Sequence, residues 1–316
     1  MAIFFTEDEV NSLLSMDDAL QAVEDCFRQL GELKATNRPR SRVQLPGVTL
    51  HVMSAGSESW EMLGLKVYTT ARSGARFLFC LYGTDGQLLA VMEADKLGQM
   101  RTGAASGVAT RFMARADATT VGLIGTGWQA RSQLEAVVRS RTIVAAVAFS
   151  RDNAKKVDFC REMSESLGID VQPVTKPEEV SEASDILITA TNSKEPVLKG
   201  NWLRPGQHVN AIGTNIATKC EIDRRVVQRT TRIVTDSKEQ ARIECGDLIA
   251  SIEAGDLDWS AVMELGDVVS GKLSGRERAD DITLFESQGL AIEDVAVARR
   301  VYERGRARGV GRRLPF

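Results

Sequence analysis

The segment most indicative of a binding or catalytic site is 119–130, with the sequence TTVGLIGTGWQA. An apolar run, Val121 to Ile124, leads into a glycine turn, and a segment of helical character follows. In a dinucleotide fingerprint the first glycine permits the turn, the second admits a pyrophosphate, and a small third residue lets helix and strand pack closely. Helix amides and the helix dipole then face the phosphates. The alternative is a turn that binds nothing. The predicted cofactor contacts in this segment are Gly125, Thr126, Gly127, Trp128, Gln129 and Ala130.

The residues after the second predicted strand bear on the choice of nicotinamide cofactor. NAD-specific sites usually place an acid there to bind the ribose hydroxyls, whereas this chain has Ser150 followed by Arg151. A hydroxyl beside a guanidinium suits a 2′-phosphate, because arginine offers a planar fork of donors. The pair therefore predicts NADP(H) in preference to NAD(H). NAD(H) stays open, because Asp152 could bind the ribose, Ser150 could simply cap a helix and Arg151 could be solvated.

The elements that must position these residues alternate between strand and helix from Thr119 onward. The predicted strands are 120–125, 143–149, 169–174, 185–191, 208–212 and 232–236. Such alternation is typical of a doubly wound parallel sheet, that is, a Rossmann domain. Ligands of these sheets lie beyond the carboxyl ends of the strands, so the residues that end two of them should contact the cofactor. These residues are Thr191, Asn192, Gly213 and Thr214.

The first third of the chain has a different pattern. Residues 1–35 are expected to be helical, short strand-like runs separated by Gly, Pro and Asp fill 42–92, and a helix rich in small residues covers 95–115. A last helix is expected over 286–306. The fold class is therefore α/β, a Rossmann domain plus a smaller α+β domain. The predicted domains are 1–116, joined by the C-terminal helix at about 290–316, and the NAD(P)-binding domain at 117–289.

Composition excludes several classes of protein. The 316 residues carry a formal net charge of −3, which favours neither nucleic acid nor an acidic membrane as partner. The five cysteines are odd in number and lack a CxxC pair, so reduced thiols are expected. His51 and His208 are far apart, and no metal site is predicted. With no signal peptide and no membrane-spanning run, the expected location is the cytoplasm.

Seven blocks of the sequence resemble the ornithine cyclodeaminase/mu-crystallin family in order and spacing. They are KVYTT (66–70), MRTGAASGVAT (100–110), VGLIGTGWQAR (121–131), DILITATNSKEPVL (185–198), VNAIGTN…EID (209–223), DSKEQARIECGDL (236–248) and SGRERADDITLFESQGLAIEDVAVA (274–298). The resemblance implies NAD(P)-dependent hydride transfer at the α-carbon of an amino or imino acid. It also implies a homodimer formed by the smaller domain, which helps to bind substrate.

The resemblance also implies roles for individual residues. Arg42, Lys66 and Arg101 match the basic positions around the substrate carboxylate, and Lys66 could also act as an acid. Two cations near a carboxylate would fix the orientation of an α-imino acid. Surface or interface salt bridges are the alternative. Further expected cofactor contacts are Thr102, Ser287 and Gly289, with helix capping as the other reading of Ser287.

One position departs from the family pattern. Cyclodeaminases and archaeal-type alanine dehydrogenases carry an acid just after the glycine of the VNAIG block, where this chain has Asn215. Asparagine cannot exchange a proton in that role, which weakens both of those activities. Reduction of a preformed imine needs only a carboxylate clamp, a hydride donor and a proton source. Asn215 is accordingly expected to contact substrate, although it could merely start a turn, and Glu221 or Asp223 could replace the acid.

The sequence therefore predicts NADPH-dependent reduction of an α-imino acid, such as the cyclic ketimines pyrroline-2-carboxylate and piperideine-2-carboxylate. Four alternatives stay open at this point. They are an NAD-dependent ornithine cyclodeaminase, an alanine dehydrogenase-like enzyme, an enzyme that forms N-alkyl amino acids, and a non-catalytic mu-crystallin-like binding protein.

Overall fold

The computed structural model of the protein describes residues 1–315. Its strands are β1 (Ile3–Phe5), β2 (Ala35–Leu45), β3 (Val48–Ser57), β4 (Met62–Ala71), β5 (Gly74–Gly83), β6 (Leu88–Glu93), β7 (Thr120–Ile124), β8 (Ala145–Phe149), β9 (Asp170–Pro173), β10 (Ile186–Thr189), β11 (His208–Ala211), β12 (Arg232–Thr235), β13 (Val262–Glu264), β14 (Thr283–Glu286) and β15 (Arg312–Arg313). Its α-helices are α1 (Glu7–Leu13), α2 (Met16–Gly31), α3 (Asp95–Met113), α4 (Trp128–Ser140), α5 (Asn153–Leu167), α6 (Pro177–Glu182), α7 (Arg224–Arg229), α8 (Lys238–Glu244), α9 (Gly246–Glu253), α10 (Leu265–Val269) and α11 (Ala291–Arg308).

The chain forms two compact units, and the division falls within α3. Of the described residues, the first unit contains 1–102 and 289–315, and the second contains 103–288. The predicted domain boundaries and the substrate-binding and dimerisation roles stay predictions. Within residues 1–315, none of the helices combines the length and the apolar character that a membrane span requires.

The first unit is built on a seven-stranded sheet in the order β15-β1-β6-β5-β4-β3-β2. Strands β2 to β6 are antiparallel neighbours, as the sequence predicts, but β1 pairs with β6 in parallel, so the sheet is mixed. Strand β1 lies in a stretch expected to be helical and has only three residues, too few for a periodic signal. The two helices that follow begin at capping boxes, where Thr6 and Ser15 are the N-caps.

Helix α11 packs on one face of this sheet, against β2 to β5. Gly64 makes the approach possible, because a Cβ at this residue would press on the Phe79 ring and on Val295. The expected last helix begins later than predicted, because β14 ends at Glu286 and Gly289 adopts φ +78°, a conformation that interrupts a helix. The opposite sheet face is apolar and exposed, with Val43, Leu50, Leu63 and Leu78 each more than a third accessible.

The second unit is built on an eight-stranded parallel sheet in the order β13-β12-β14-β11-β10-β7-β8-β9, which confirms the Rossmann prediction. Strands β13 and β14 were not predicted. Separate apolar clusters form the core of this unit, one around Leu123 and Phe159 and another around Val209 and Leu284. The chain leaves β7 toward β8 and β9 and then crosses back to β10, so the strand order reverses beside β7. That reversal creates a crevice at the carboxyl ends of the strands, where such sheets bind ligands.

Candidate active site

The glycine turn after β7 has the geometry that its sequence predicts. Gly125 adopts φ +110°, and a Cβ there would overlap the carbonyl oxygen of Ala190 at the end of β10. Gly127 is the N-cap of α4 with φ −81°, and a Cβ on it would meet no atom within 4 Å. The first glycine is therefore required by the fold, whereas the second leaves open space in front of the helix N-terminus.

A cavity of about 930 Å³ opens at this turn, beyond the carboxyl ends of β7, β8 and β10. This volume is at the upper end of the range for small-molecule and cofactor sites. The predicted cofactor contacts that line it are Gly125, Thr126, Gly127, Trp128, Gln129, Ser150, Arg151, Thr191, Asn192 and Gly213. Open space at Gly127, the N-terminus of α4 and adjacent hydroxyl and guanidinium groups fit a dinucleotide.

Five predicted cofactor contacts are not among the residues that line this cavity: Thr102, Ala130, Thr214, Ser287 and Gly289. Ala130 is fully buried in the core beside β7, which is the packing role expected of the third small position. The Thr102 hydroxyl donates to the Gly98 carbonyl of its own helix at 2.8 Å.

The segment after β8 places Ser150, Arg151 and Asp152 at the cavity. Asp152, the residue that could bind a ribose, is also the N-cap of α5 and accepts from the Lys155 amide at 3.1 Å. Arg151 is exposed at the cavity, and Lys155 also lines it. Lys156, in contrast, is buried and donates to the Val174 carbonyl at 2.8 Å, so it adds no charge to the site.

Glu221 is committed to holding the strand ends together. Its carboxylate accepts from the Thr189 hydroxyl at 2.9 Å, the Thr191 amide at 2.6 Å and the Gly213 amide at 2.6 Å. Burial raises the pKa of Glu221 despite these bonds. Asp223 caps α7 and accepts from the Gly200 amide at 2.9 Å. Both carboxylates thus carry backbone structure, which speaks against either one replacing the acid absent at Asn215.

Ser287 is not a helix cap. Its hydroxyl donates to Asp236 Oδ2 at 3.3 Å, and the same oxygen accepts from the Gln288 amide at 2.7 Å. Asp236 therefore fixes the segment that follows β14. Gly289 lies in the first unit. A Cβ on this residue would overlap the Arg101 guanidinium, and its carbonyl oxygen accepts a hydrogen bond from Arg40 Nη2 at 3.4 Å.

The first unit brings Lys66 and Arg101 together in a buried cluster with two acids of α11. Lys66 Nζ donates to Asp294 Oδ1 at 2.8 Å, and Arg101 Nη1 donates to Glu293 Oε2 at 2.9 Å. Arg101 Nε also lies 3.3 Å from Asp294 Oδ1. The four residues range from 0% to 7% exposed, so the charges act with little screening by solvent.

The surroundings shift the pKa values of Lys66 and Arg101 in opposite directions. Burial, with the nearby Arg101 and Arg40 charges, lowers the pKa of Lys66, although Asp294 opposes the shift. Burial would also lower the pKa of Arg101, but the Asp294 and Glu293 carboxylates outweigh it and raise that pKa. Arg101 is thus a permanent cation, whereas the Lys66 ammonium is a stronger acid than an exposed lysine.

Arg42 lies in a cross-strand row beside this cluster. It is half-buried and pairs with His51 of β3, which in turn pairs with Tyr68 of β4. The His51 and Tyr68 rings stack with centroids 4.2 Å apart, and His51 Nε2 lies 3.0 Å from the Thr70 hydroxyl. Burial together with Arg42 and Arg40 lowers the pKa of His51 to about 4, so the imidazole is neutral at physiological pH.

Four residues of the first unit were not predicted as site residues: Arg40, His51, Glu293 and Asp294. Arg40 is buried, and its Nε lies 3.4 Å from the sulfur of Met53. The signal in the sequence was an adjacent acidic pair inside an otherwise apolar helical run, LAIEDVAVA, since buried acids normally have partners. Among the described residues, no group of three or more His, Cys, Asp or Glu is placed to hold a metal ion.

The two glycines of the turn give a paired prediction. Gly125→Ala should lower Tm and abolish dinucleotide binding, because alanine at φ +110° is strained and its methyl overlaps Ala190. Gly127→Ala should keep the wild-type Tm, yet weaken dinucleotide binding by about tenfold or more, because its methyl occupies the approach to the helix amides. Thermal unfolding measures the Tm of each variant, and fluorescence titration with NADPH measures its dinucleotide affinity. Unchanged NADPH affinity in Gly127→Ala would contradict the assignment of the cavity.

Comparison with known proteins agrees with this geometry. Residues 2–309 match the ornithine cyclodeaminase/mu-crystallin family. A Delta(1)-pyrroline-2-carboxylate reductase of Bacillus cereus is 30% identical over 99% of this chain and 100% of its own length. The structure of Thermococcus litoralis Delta(1)-pyrroline-2-carboxylate reductase with NADH and L-proline has a TM-score of 0.95 and 36% identity, over 99% of this chain and 100% of that one. The structure of an archaeal alanine dehydrogenase dimer with bound NAD has a TM-score of 0.94 and is 34% identical, and the match covers 100% of this chain and 99% of that one.

Proposed function

The chain belongs to the ornithine cyclodeaminase/mu-crystallin family and is an NAD(P)-dependent oxidoreductase of amino or imino acids, and from this premise we propose that it reduces an α-imino acid with NADPH. The proposed substrates are cyclic ketimines such as pyrroline-2-carboxylate and piperideine-2-carboxylate. The observation that carries the proposal is the buried Lys66–Arg101 cluster, in a chain that has Asn215 at the acidic position. Reductases that bear the pyrroline-2-carboxylate name are among its relatives.

In this proposal Arg101 and Arg42 bind the substrate carboxylate. A guanidinium offers two parallel donors to a carboxylate, and Arg101 is already oriented by Glu293 and Asp294. Orientation by a fixed clamp lowers the barrier because the reacting carbon is held in one geometry. Asn215 contributes an amide contact to the substrate without a charge.

Lys66 is the proposed proton donor. A bound reduced nicotinamide supplies the hydride for the imine carbon. As the carbon–nitrogen π bond breaks, its electron pair forms a bond to a proton from the Lys66 ammonium, which later regains a proton from water. The lowered pKa of Lys66 makes this transfer easier.

The preference for NADPH over NADH is supported by Ser150 and Arg151 at the cavity and by Asp152 acting as a helix cap. Arg151→Ala should raise the KM for NADPH about 10- to 100-fold, since one or two charged hydrogen bonds to a phosphate are lost. The KM for NADH should stay unchanged. Arg161→Ala is the matched control, because Arg161 is an exposed arginine of α5 that is not among the residues lining the cavity. Equal losses with NADPH and NADH would contradict a phosphate contact.

We also propose a homodimer, located in the cytoplasm. The exposed apolar face formed by Val43, Leu50, Leu63 and Leu78 is of the kind that monomers rarely leave in water. The archaeal alanine dehydrogenase relative is a dimer. Sedimentation at micromolar concentration should give a mass of two chains, and a single-chain mass would contradict the proposal.

The experiment that tests the function compares substrates and cofactors directly. Purified protein is incubated with NADPH or NADH and each cyclic ketimine, with pyruvate plus ammonia or methylamine, and separately with NAD⁺ and ornithine. We expect fast NADPH oxidation with a ketimine, slower oxidation with NADH, and no proline or ammonia from ornithine. Cyclisation of ornithine would show that the acid absent at Asn215 is supplied elsewhere. Preferred turnover of pyruvate with ammonia or methylamine would instead favour an alanine dehydrogenase or an N-alkyl amino acid forming enzyme.

A further inference from the structure

Asp294 has a feature that its ion pairs do not explain. It is fully buried, its Oδ1 atom accepts a hydrogen bond from Lys66 Nζ at 2.8 Å, and the same atom forms an ion pair with Arg101 Nε at 3.3 Å. Its Oδ2 atom is also buried and has no hydrogen-bond partner among the described residues. A buried carboxylate oxygen left without a donor is costly, and such groups in folded proteins call for a functional explanation.

We propose that Asp294 is a positioning residue that keeps Lys66 protonated and aimed for proton transfer to the substrate nitrogen. This inference rests on the proposed function, because it assumes a reaction that consumes a proton at that nitrogen. Asp294 accepts the hydrogen bond of the ammonium before transfer and that of the neutral amine afterward. The proton comes from Lys66, and the electron pair of the broken π bond forms the new nitrogen–hydrogen bond.

Among the charged groups around Lys66, Asp294 is the one that favours the protonated side chain. The charges that act on Lys66 come from three elements, namely Asp294 on α11, Arg101 on α3 and Arg40 on β2. Both arginines disfavour the ammonium, as does burial, whereas Asp294 favours it. Without the aspartate, three effects would act together to remove the proton.

Packing also restricts where the ammonium can lie. A Cβ on Gly98 of α3 would come within 2.7 Å of Lys66 Nζ, so the nitrogen sits directly against the helix at a residue without a side chain. On the other side the nitrogen lies 5.5 Å from the centroid of the Phe77 ring. The Asp294 bond therefore holds a side chain that already has little freedom.

The test is the pH dependence of kcat/KM for ketimine reduction in Asp294→Asn, with Asp294→Glu and Glu293→Gln as matched variants. Because the same substrate is used throughout, titration of the substrate contributes equally to every profile. In the wild type, kcat/KM should fall as pH rises through the pKa of Lys66. In Asp294→Asn that alkaline limb should move to lower pH, since the charge that raises this pKa is gone, and kcat at neutral pH should fall about 10²-fold.

The two other variants separate positioning from general damage. Asp294→Glu keeps the charge, so its alkaline limb should stay at the wild-type pH while kcat falls. Glu293→Gln weakens the hold on Arg101 and should raise KM more than it lowers kcat, with the limb in place. Thermal unfolding checks that each variant is folded. If Asp294→Asn fails to fold, Asp294→Glu decides the question: a lower kcat with the alkaline limb in place supports the positioning role, and a wild-type kcat overturns it.

An Asp294→Asn profile with the wild-type alkaline limb would overturn the inference while leaving the proposed function intact. A limb that moves equally in Glu293→Gln would also overturn it, because the effect would then be general to the cluster. A wild-type protein that reduces no imino acid would overturn both proposals.

Discussion

Replacing Arg101 by alanine should lower kcat/KM for ketimine reduction by about 10²- to 10³-fold while leaving NADPH affinity unchanged. The estimate follows from the loss of two charge-assisted hydrogen bonds to the substrate carboxylate. Most of the loss should appear in KM, with a further part in kcat, since an unclamped substrate samples unproductive orientations. Stopped assays of product amino acid, with NADPH titration alongside, measure the two effects.

This substitution also leaves Glu293 and Asp294 buried beside one cation fewer. Removing one partner of a buried ion pair is destabilising, so a lower Tm is expected as well. Assays are therefore run well below the Tm of the variant. Arg101→Lys provides a milder comparison, because lysine keeps the positive charge but lacks the planar guanidinium. Arg111→Ala, at an exposed position of the same helix, is the matched control. Activity of Arg101→Ala within threefold of the wild type would contradict the clamp.

Replacing Lys66 by arginine should separate charge from proton donation. Arginine keeps the cation beside Asp294 but cannot give up its proton at any pH compatible with folding. We expect KM for the ketimine to stay near the wild-type value and kcat to fall about 10²- to 10⁴-fold, the usual contribution of a general acid. Lys66→Met removes the charge as well and should raise KM in addition.

The same pair of variants has a second readout. The alkaline limb of the kcat/KM profile that reflects Lys66 should be absent in Lys66→Arg. Wild-type kcat in Lys66→Arg would show that the proton comes from another group or from water. Because Asp294 would lose one of its two cationic partners in Lys66→Met, the Tm of that variant should fall below that of Lys66→Arg.

The parts of the fold that the sequence predicted are those with strong local signals. The Gly125 turn and the alternation of apolar strands and helices after Thr119 depend on neighbours in sequence. Strands β13 and β1 have three residues each, which is too short for periodicity to show, and β1 exists because β6 offers it a parallel edge. Strand β14 lies just before the expected last helix and shares only Glu286 with it, and a short apolar run of this kind fits either a strand or a helix.

The residues of the candidate site likewise fall into those with a local sequence signal and those without one. Cofactor contacts followed from a motif and from the rule that ligands lie beyond strand ends. Asp294 and Glu293, however, reach Lys66 and Arg101 across about 190 to 230 positions of sequence, and no local pattern encodes that pairing. His51 became notable only through its cross-strand neighbours Arg42 and Tyr68, which the pairing register supplies.

The most direct test of the central claim follows the hydride itself. Purified protein is incubated in ordinary water with pyrroline-2-carboxylate and NADPH in which both hydrogens of the reactive ring carbon are replaced by deuterium. The product is examined by NMR and mass spectrometry. We expect proline with one deuterium at the α-carbon, formed in proportion to the NADPH consumed. NADPH binding without any proline, or proline lacking deuterium at that carbon, would contradict it.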